Sequence, residues 1–372
     1  MQTDQAGNLV VEVLFGSQAH RGWTRYDIES DLLTPADAWH MEMSKTEIKL
    51  PPTVAIGAQL QVRVGGETVL SGVLDDKVHK IQKSGHTLAL TGRDAAGVLL
   101  DCSAPVFTGL KMTLEQIITK VVKPLGISKF NISAENLLMR EKVSVEPGDT
   151  AWDVLKHAAE ANGLWPWFEP DGTLVVGGPD YTTPLVDRLV MRYDGKGNNI
   201  ENAEDHRSLV PRYSELTVLG QAHAIGGNDG RHNIAATVKD TGVTGYRPKI
   251  VVDHEAVSKA IASARGEKLL ADARMKGYEL KLQVKGHRNA TGKLWTPGQR
   301  VAVVCEPLDI DGVYFLMGRR LSGDKRSGQM TDLSLREDGV WALYAHPHAR
   351  KHRRGKNSAP GRIIDLTKGA AQ

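Results

Sequence analysis

The stretch Gly57-Ala-Gln-Leu-Gln-Val-Arg-Val64 alternates apolar and polar residues, as a half-buried β-strand does. It meets Gly65-Gly66 and resumes as Glu67-Thr-Val-Leu70. Because glycine readily adopts the positive φ that a tight turn requires, the two runs predict an antiparallel hairpin. A second hairpin is predicted from Asp75 to Ile81 and from His86 to Thr91, with shorter strands at 23–28 and 39–43.

The same layout returns near the end of the chain. The first copy continues through Ser84-Gly-His-Thr-Leu-Ala-Leu-Thr-Gly-Arg-Asp94. The second copy reads Gly298-Gln-Arg-Val-Ala-Val-Val-Cys305, Val313-Tyr-Phe-Leu316 and Ser327-Gly-Gln-Met-Thr-Asp-Leu-Ser-Leu-Arg-Glu-Asp338. Two interpretations of this recurrence remain open. The first is that small antiparallel barrels share such spacing in general. The sharper one is that a single chain contains two copies of one barrel, so that a C3 trimer presents six similar barrels in a ring without free strand edges.

Between the two copies, the spacing of the apolar residues changes from that of strands to that of helices. Thr113 with Gln116, and Thr150 with Asp153, have the spacing of helix N-terminal caps, and apolar residues follow each pair at helical spacing. The first helix is expected to end near Leu125 and the second at Gly163. A hairpin follows, with strands at 164–168 and 173–176 around a type I turn at 169–172.

The expected fold class is therefore α+β and mainly β. It comprises two similar small β-barrel (tube-like) domains, an inserted small α/β module, and a long helix in the second half. The expected boundaries are 1–105 for the first barrel, 106–180 for the module, 181–344 for the second barrel with a helix at about 254–276, and 345–372 for the tail. Asp253 is the expected N-cap of the long helix. Further strands are expected at 214–219, 278–285, 300–305, 313–321 and 330–335, and a mobile loop at 226–230.

Composition excludes several classes of protein. The 372 residues are 41% apolar and 24% charged, which is typical of two or three globular domains. We expect no transmembrane helix, because the longest apolar runs are about five residues against the roughly 20 that a span needs. The N-terminus lacks the pattern of a signal peptide, and two cysteines cannot build a disulfide framework.

Charge is unevenly distributed along the chain. Residues 345–372 contain seven Lys or Arg and one acidic residue, a net charge of +6. Because the whole chain carries +3, residues 1–344 carry −3. The tail is expected to be a mobile extension, and three roles remain open for it: docking to an acidic partner, contact with DNA, and a solvated terminus.

At this point a family resemblance is visible. The motifs that carry it are Arg21-Gly-Trp-Thr24, Gly72-Val-Leu-Asp-Asp76, Leu90-Thr-Gly-Arg-Asp94, Val145-Glu-Pro-Gly-Asp-Thr-Ala-Trp152, Gly163 to Gly172, and Thr296-Pro-Gly298 to Leu335-Arg-Glu-Asp338. In this order over residues 10–345 they resemble the baseplate hub (tail) protein of Mu-like contractile phages. The chain is also similar, more loosely, to late-control tail proteins and to the hub portion of type VI secretion spikes.

The resemblance implies a non-enzymatic virion protein in the tail baseplate, assembled in the host cytoplasm. It implies a homotrimer whose barrels form a pseudo-sixfold ring between the hexameric tail tube and the trimeric central spike. DNA would pass through this ring after contraction. The implied neighbours also include tail-tip proteins, baseplate wedge proteins and the tape-measure protein.

Alternative functions remain open at this stage. The segment Val145 to Trp152 also resembles the start of a peptidoglycan-binding LysM repeat. Trp165 and Trp167 alternate with Pro166 and should share one strand face, where they would stack on a sugar ring or anchor a core or interface. The hub of a type VI-like injection device is a further alternative.

No catalytic, cofactor or metal site is predicted. The chain lacks the Gly-x-Ser-x-Gly, His-Glu-x-x-His and P-loop motifs. His346, His348 and His352 have poor spacing for a metal in a basic segment. Cys102 and Cys305 are expected to be small core residues. The paired acids Asp75-Asp76 and Asp309/Asp311 are expected in turns, where carboxylates bond the backbone.

Overall fold

The structure is a computed structural model that describes residues 9–46, 48–133, 140–160, 163–221, 233–253, 256, 258–324, 326–341 and 362–365. Strands predominate over helices in these ranges, so the predicted α+β, mainly β class is confirmed. None of the helices described is both long enough and apolar enough to cross a membrane.

Seven strands precede the first helix. They are β1 (Val11–Phe15), β2 (Gln18–His20), β3 (Arg25–Asp31), β4 (Ala38–Lys45), β5 (Gln59–Val64), β6 (Glu67–Gln82) and β7 (Gly85–Asp94). Alternate residues of β4, β5 and β7 are buried, as their alternating sequences predict. Ile28, Trp39, Met41, Val62 and Leu74 belong to the core that these strands share.

Strand β6 differs from its prediction. Two separate runs are predicted for this segment, whereas the structure has one strand of 16 residues. Its register against β7 shifts between Leu74 and Asp76, which identifies a β-bulge at Asp75. Asp76 of the same strand pairs with Thr91, so the prediction that Asp75 and Asp76 lie in a turn was wrong. The carboxylate of Asp75 accepts a 2.8 Å hydrogen bond from Arg93 Nε across the bulge.

The middle of the chain forms a small α/β module with its own core. Its elements are α1 (Ala96–Asp101), β8 (Thr108–Met112), α2 (Leu114–Val122), β9 (Lys129–Ile132), β10 (Arg140–Ser144), α3 (Ala151–Glu160), β11 (Trp165–Phe168) and β12 (Leu174–Gly177). Both predicted helix caps are present. Thr113 and Gln116 form a reciprocal capping box, and Thr150 Oγ1 accepts from the Asp153 amide at 3.1 Å. The predicted hairpin turn is closed by the Gly172 amide on the Glu169 carbonyl at 2.8 Å.

The second half of the chain contains the remaining strands and the longest helix. They are β13 (Leu185–Met191), β14 (Asn202–Arg207), β15 (Glu215–Gln221), β16 (Asn233–Lys239), β17 (Pro248–Val252), α4 (Lys259–Gly277), β18 (Tyr278–Lys285), β19 (Arg300–Cys305), β20 (Ile310–Asp324), β21 (Gly328–Glu337) and β22 (Arg362–Asp365). The bounds of β18 and β19 match the predicted strands.

More than a helix is inserted in this half. Strands β15, β16 and β17 form a separate three-stranded sheet that packs on α4. The helix begins at Lys259, because Ser258 Oγ accepts a hydrogen bond from the Ile261 amide. The prediction that Asp253 is the N-cap was wrong, and its carboxylate instead forms a 3.2 Å ion pair with Arg265.

Two segments were predicted to be mobile, the loop at 226–230 and the tail at 345–372. The glycine-rich loop at 226–230 lies outside the described residues, as do residues 345–361 and 366–372 of the tail. Strand β22 of the tail pairs antiparallel with β9, with Ile364 opposite Phe130.

Thirteen strands form one large sheet. Its order is β14-β18-β21-β20-β3-β4-β7-β6-β5-β1-β2, with β19 alongside β20 and β13 parallel to β19. The two β regions are therefore joined where β20 of the second pairs with β3 of the first. The pairings between the described strands do not themselves close either region into a barrel, so barrel closure stays a prediction.

The layout that recurs in the sequence also recurs in the strand pairing. The first β unit has the antiparallel order β5-β6-β7-β4-β3, and the second β unit has the antiparallel order β19-β20-β21-β18-β14. The long strand β20 has a register shift against β21 between Leu316 and Gly318, as β6 has against β7 between Leu74 and Asp76. A bulge at the same ladder position favours two copies of one unit over a spacing that antiparallel sheets share in general.

Candidate functional site

The two tryptophans singled out from the sequence do not form an open platform. Trp165 Nε1 donates a 2.6 Å hydrogen bond to the Leu32 carbonyl, and its ring packs beside the cluster of Phe315 and Met317. Trp167 Nε1 donates to Glu169 Oε1 at 3.1 Å. Trp165 is therefore an anchor between the α/β module and the large sheet.

The other residues named from sequence are distributed through the molecule. Cys305 is fully buried in the core of the second β unit, as predicted, and Cys102 is half-buried at the end of α1. Asp309 follows a short 3-10 turn with φ 53°, which agrees with its predicted turn position. Asp311 lies in β20 opposite Val304, so its predicted turn position was wrong. His346, His348 and His352 lie outside the described residues.

The functional candidate is instead a surface, and its centre is the junction of β20 with β3. Seven residue pairs make up this antiparallel ladder, from Gly318 opposite Asp31 to Asp324 opposite Arg25. The ladder buries Leu321 and Ile28 side by side, both with 0% exposure. The first and second β units thus share one continuous sheet.

Ion pairs lie across this junction. Arg320 Nη2 is 2.7 Å from Asp27 Oδ1, and Arg320 Nε is 3.3 Å from Glu29 Oε1. The basic member lies on β20 and both acidic members lie on β3. Opposite charges on facing strands favour one pairing register over its neighbours.

A buried chain of hydrogen bonds also crosses the junction. His287 Nε2 lies 2.8 Å from the Tyr26 hydroxyl, and His287 Nδ1 lies 2.9 Å from Thr331 Oγ1. Because Thr331 donates its own proton to the Gly286 carbonyl, its oxygen accepts from Nδ1–H, and Nε2 accepts from Tyr26. Burial lowers the pKa of His287 to about 4, and the nearby Arg319 guanidinium acts in the same direction.

Arg319 is the buried cation of the junction. Its guanidinium donates to the carbonyls of Trp295 and Val69. Burial lowers the pKa of Arg319 to about 10, although the carboxylate of Asp37 opposes this shift. Burial raises the pKa of Asp37 to about 6, while its hydrogen bond from Ser30 Oγ at 2.5 Å acts in the opposite direction.

Glycine is required where the junction strands approach most closely. A Cβ at Gly323 would lie 2.5 Å from the ring of Tyr26, the residue opposite it in the ladder. A Cβ at Gly318 would contact the carboxylate of Asp31, again directly opposite. A small residue on β20 therefore makes room for a large one on β3.

The sheet turns one polar face away from its cores. Alternate residues of β14, β18, β21, β20, β3, β4, β7 and β6 lie on this face, and their charged members carry both signs. Ion pairs and hydrogen bonds join some of these polar residues across neighbouring strands. Arg336 Nη1 is 3.2 Å from Glu279 Oε1, and Gln283 Nε2 donates to Asp332 Oδ1 at 2.7 Å. Paired charges leave only a weak net field above such a surface.

The residues of this junction were not predicted from the sequence. His287, Arg319 and Asp37 lie in no motif, and their partners are distant in the chain. The sequence shows three alternate acidic residues in β3 and the pair Arg319-Arg320 in β20, but neither group identifies its partner without the topology.

Models of four phage tail domains match the chain in order. They are the N-terminal domain of the Mu phage baseplate assembly protein GpP-like family at residues 10–94, and the second domain of the baseplate hub protein gp44-like family at 96–178. The third domain of NMB1110-like tail proteins matches 212–270, and a tail protein C-terminal domain matches 272–340. The LysM-like segment thus lies within the gp44-like match.

Solved structures and curated proteins give the same result. The crystal structure of the tail protein from Neisseria meningitidis MC58 is 38% identical, with a TM-score of 0.81 over 91% of this chain and 100% of that chain. This chain belongs to the baseplate hub and tail protein family of Mu-like phages. The hub protein gp44 of Escherichia phage Mu is 25% identical over 91% of this chain and 90% of gp44. The 43 kDa tail protein of prophage MuSo2 from Shewanella oneidensis is also 25% identical, with a TM-score of 0.79 over 90% and 99% of the two chains.

The hub fold extends to secretion systems. A type VI secretion component of Escherichia coli, described as similar in structure to the T4 bacteriophage tail proteins gp27 and gp5, has a TM-score of 0.54 at 13% identity. The match covers 91% of this chain and 77% of that chain. At this identity the likeness shows a common fold.

Proposed function

We propose that this hub-family chain is a non-enzymatic structural adaptor of a contractile phage tail baseplate. Three copies form a ring in which six similar β units surround one axis. One side of the ring docks the hexameric tail tube, and the other docks the trimeric central spike. After contraction and loss of the spike, DNA passes through the ring.

The observation that carries this proposal is the repeated ladder. Both β units have the same strand order, and both have a bulge at the same position of their long strand. Two like units in one chain let a threefold assembly offer six like sites to one neighbour and three to another. This is the change of symmetry that an adaptor between tube and spike has to make.

The polar face of the sheet supports passage of DNA. Its charged residues carry both signs, and ion pairs across strands join Arg336 to Glu279 and Arg320 to Asp27. A lining with unpaired basic residues would hold phosphates, whereas neutralised charges let a polyanion move past. We therefore assign this face to the inner wall of the ring.

The remaining parts of the chain have separate roles in this proposal. Residues 1–105 and 181–344 contribute the ring, with barrel closure completed in the assembly. The module at 106–180 and the inserted sheet with α4 lie outside the ring and provide surfaces for wedge, tail-tip and tape-measure proteins. The basic tail at 345–372 docks an acidic neighbour. The particle is assembled in the host cytoplasm and remains in the virion baseplate.

A type VI-like injection device is the second candidate. The fold shared with the Escherichia coli secretion component favours it, since the same ring suits either machine. The phage assignment has more support, because the identity to Mu-like tail proteins is much higher.

Light scattering coupled to size exclusion tests the proposal on the purified chain over a range of concentrations. We expect a particle of three 40.5 kDa chains, either alone or on addition of the spike protein. The control is the spike protein alone at the same concentrations. A stable dimer, or a monomer that does not trimerise with the spike, would contradict the ring.

A further inference from the structure

A cavity of about 220 Å³ lies at the end of the first β unit where β4 ends and β7 begins. Residues of β2, of the segment that leads into β3, and of the loop after β4 complete its wall. Its volume equals that of about seven water molecules at roughly 30 Å³ each, and pockets for drug-sized ligands are larger, at roughly 300–1,000 Å³. The cavity therefore suits a small ligand.

The motif Arg21-Gly-Trp-Thr24 has no role in the proposed ring, and two of its residues, Arg21 and Trp23, line this cavity. Gly22 has φ 81°, a conformation that favours glycine, and it turns the chain between the end of β2 and Trp23. The Thr24 amide and hydroxyl both donate to the Glu42 carbonyl, at 2.7 and 3.0 Å. The Trp23 ring is thereby held at the cavity, against the core of the first β unit.

Two nitrogen atoms of residues that line the cavity are buried and have no hydrogen-bond partner in the described part of the chain. They are Trp23 Nε1 and His20 Nε2. An indole N–H can only donate, and His20 is a second donor in the tautomer with its proton on Nε2. Trp39 Nε1 also lacks a partner, but Trp39 does not line the cavity. The cavity wall therefore offers two donors to a ligand with acceptor atoms.

The charge of the wall indicates that this ligand is an anion. Arg21, Lys45 and Lys49 line the cavity, and no described lining residue carries a carboxylate. Arg21 Nε is held by Glu12 Oε2 at 2.6 Å, so its charge is already balanced. Burial lowers the pKa of His20, so that the ring is neutral at pH 7 and the positive charge of the site comes from the lysines.

The remainder of the wall is apolar. Met43, Val54, Leu88 and Leu90 line the cavity and are buried in the core of the first β unit. Ligand sites typically combine such an apolar wall with a few placed polar groups. A phosphate ion would leave the apolar wall uncovered, and it has more oxygens than the two donors can serve. A ligand with one aliphatic end and one two-oxygen anionic end matches both parts of the wall.

We infer that this cavity binds a short aliphatic carboxylate. The carboxylate oxygens accept hydrogen bonds from Trp23 Nε1 and His20 Nε2, Lys45 balances the charge, and the aliphatic end packs on Val54 and Leu88. A free acid has this chemistry, and so does the C-terminal residue of a polypeptide with an apolar side chain. The site is built within one β unit, so it is present in the chain whether or not three copies form a ring.

NMR of the tryptophan indole N–H groups in the full chain tests the site, with sodium butyrate as the probe. We expect the Trp23 signal, assigned with Trp23→Phe, to shift saturably with a dissociation constant in the millimolar range. The Trp39 signal is the internal control and should stay in place. Sodium chloride at the same concentrations controls for ionic strength. Butyramide, which has the same shape without the charge, should cause no saturable shift.

Calorimetry with butyrate on variants measures what each donor contributes. Trp23→Phe keeps an aromatic ring in the core and removes only the donor, so we expect it to weaken butyrate binding about tenfold. Lys45→Gln should weaken it about threefold, and by less in high salt. Lys83→Gln lies in the turn between β6 and β7, outside the cavity wall, and is the matched control that should bind butyrate as the native chain does.

A short peptide that ends in glycyl-valine separates the two sources of the carboxylate. If the peptide with a free C-terminus binds more tightly than butyrate and its C-terminal amide does not bind, the ligand is a polypeptide terminus. If butyrate binds and the peptide does not, the ligand is a free acid. Either result supports the site.

Three results would overturn the site. They are the absence of a saturable Trp23 shift with both butyrate and the peptide, binding of butyramide or inorganic phosphate as tight as that of butyrate, and unchanged butyrate binding by Trp23→Phe. The cavity would then hold water only. Because the site needs no second chain, a trimer that binds no carboxylate overturns the site and leaves the ring standing. A chain that binds butyrate and does not trimerise with the spike overturns only the ring.

Discussion

The two β units have the same order of strand pairing, but they place side chains of different size at equivalent positions. In the first unit Trp39 lies opposite Gly92, whereas in the second Leu280 lies opposite Leu335 at the equivalent positions. Trp39 and Leu280 are both fully buried or nearly so. Backbone pairing and the bulge therefore define the unit, while side-chain volume can be divided between facing strands in more than one way.

The largest effect is expected where the first unit has no spare volume. A Cβ at Gly92 would contact the Val73 carbonyl and lie 2.8 Å from Trp39 Nε1. Gly92→Ala should therefore lower the free energy of unfolding by about 3 kcal/mol, because backbone as well as ring would have to shift. Urea unfolding followed by tryptophan fluorescence measures this.

The matched control is a glycine of the second unit with free space. A Cβ at Gly312 of β20 would meet its nearest atom, on the Tyr314 ring, at 3.6 Å, which is an ordinary contact. Gly312→Ala should leave the unfolding midpoint unchanged or raise it slightly. Equal losses for both variants would contradict the packing difference between the units.

The second prediction concerns the pH dependence of the junction between the units. The folded pKa of His287 is lowered to about 4 from a usual value near 6.5, so the folded state stays neutral while the unfolded chain takes up a proton. Stability is therefore lost as pH falls from about 6.5 towards 4. The free energy of unfolding of His287→Gln, measured relative to that of the native chain, should therefore rise by about 2 kcal/mol between pH 7 and pH 4.5.

Asp37 acts with the opposite sign in the same range. Its folded pKa is raised to about 6, so the stability that it contributes is present at low pH and is lost as pH rises through about 6. Asp37→Asn should thus steepen the acid sensitivity of the chain, whereas His287→Gln reduces it. Urea midpoints at several pH values measure both, and His157→Gln on the exposed side of α3 is the control. Parallel pH profiles for all variants would contradict this account.

A double-mutant cycle tests whether two facing residues of the internal junction share one volume. Gly323→Ile crowds the Tyr26 ring, and Tyr26→Ala leaves a cavity, so each change alone destabilises the chain. Together they exchange the large and the small residue between the two facing strands. We expect the double variant to lose about 1.5 kcal/mol less free energy of unfolding than the two single variants lose together. Strict additivity would mean that the two positions do not share their volume.

The smallest effect is expected at the surface of the junction. Arg320 pairs with Asp27 and Glu29, but its side chain is 43% exposed. Arg320→Gln should lower the free energy of unfolding by about 0.5 kcal/mol in low salt and by less in high salt. Arg326→Gln in the following turn is the control. A loss that does not change with salt would indicate packing rather than charge.

Local features of the sequence were predictable because their causes are local. The alternation of β5 and β19, the caps of α2 and α3, and the turn ending at Gly172 each depend on residues within one element. The boundary of α4 was misplaced because Asp253 and Ser258 are both plausible caps, and only the tertiary fold engages Asp253 with Arg265.

The junction could not be predicted, because its partners are far apart in the chain. Nothing local indicates that His287 meets Tyr26 or that Arg320 meets Asp27. The recurring layout in the sequence did predict a repeated unit, but β6 was predicted as two strands. The bulge at Asp75 lies within one continuous strand, and a bulge leaves no strong signal in a single sequence.

An averaged electron-microscopy map of the purified assembly, at a resolution that separates strands, is the direct test of the ring. We expect a threefold ring with six similar β units around one axis. A twofold particle, or a ring in which the two β units of a chain do not share the axis, would contradict it.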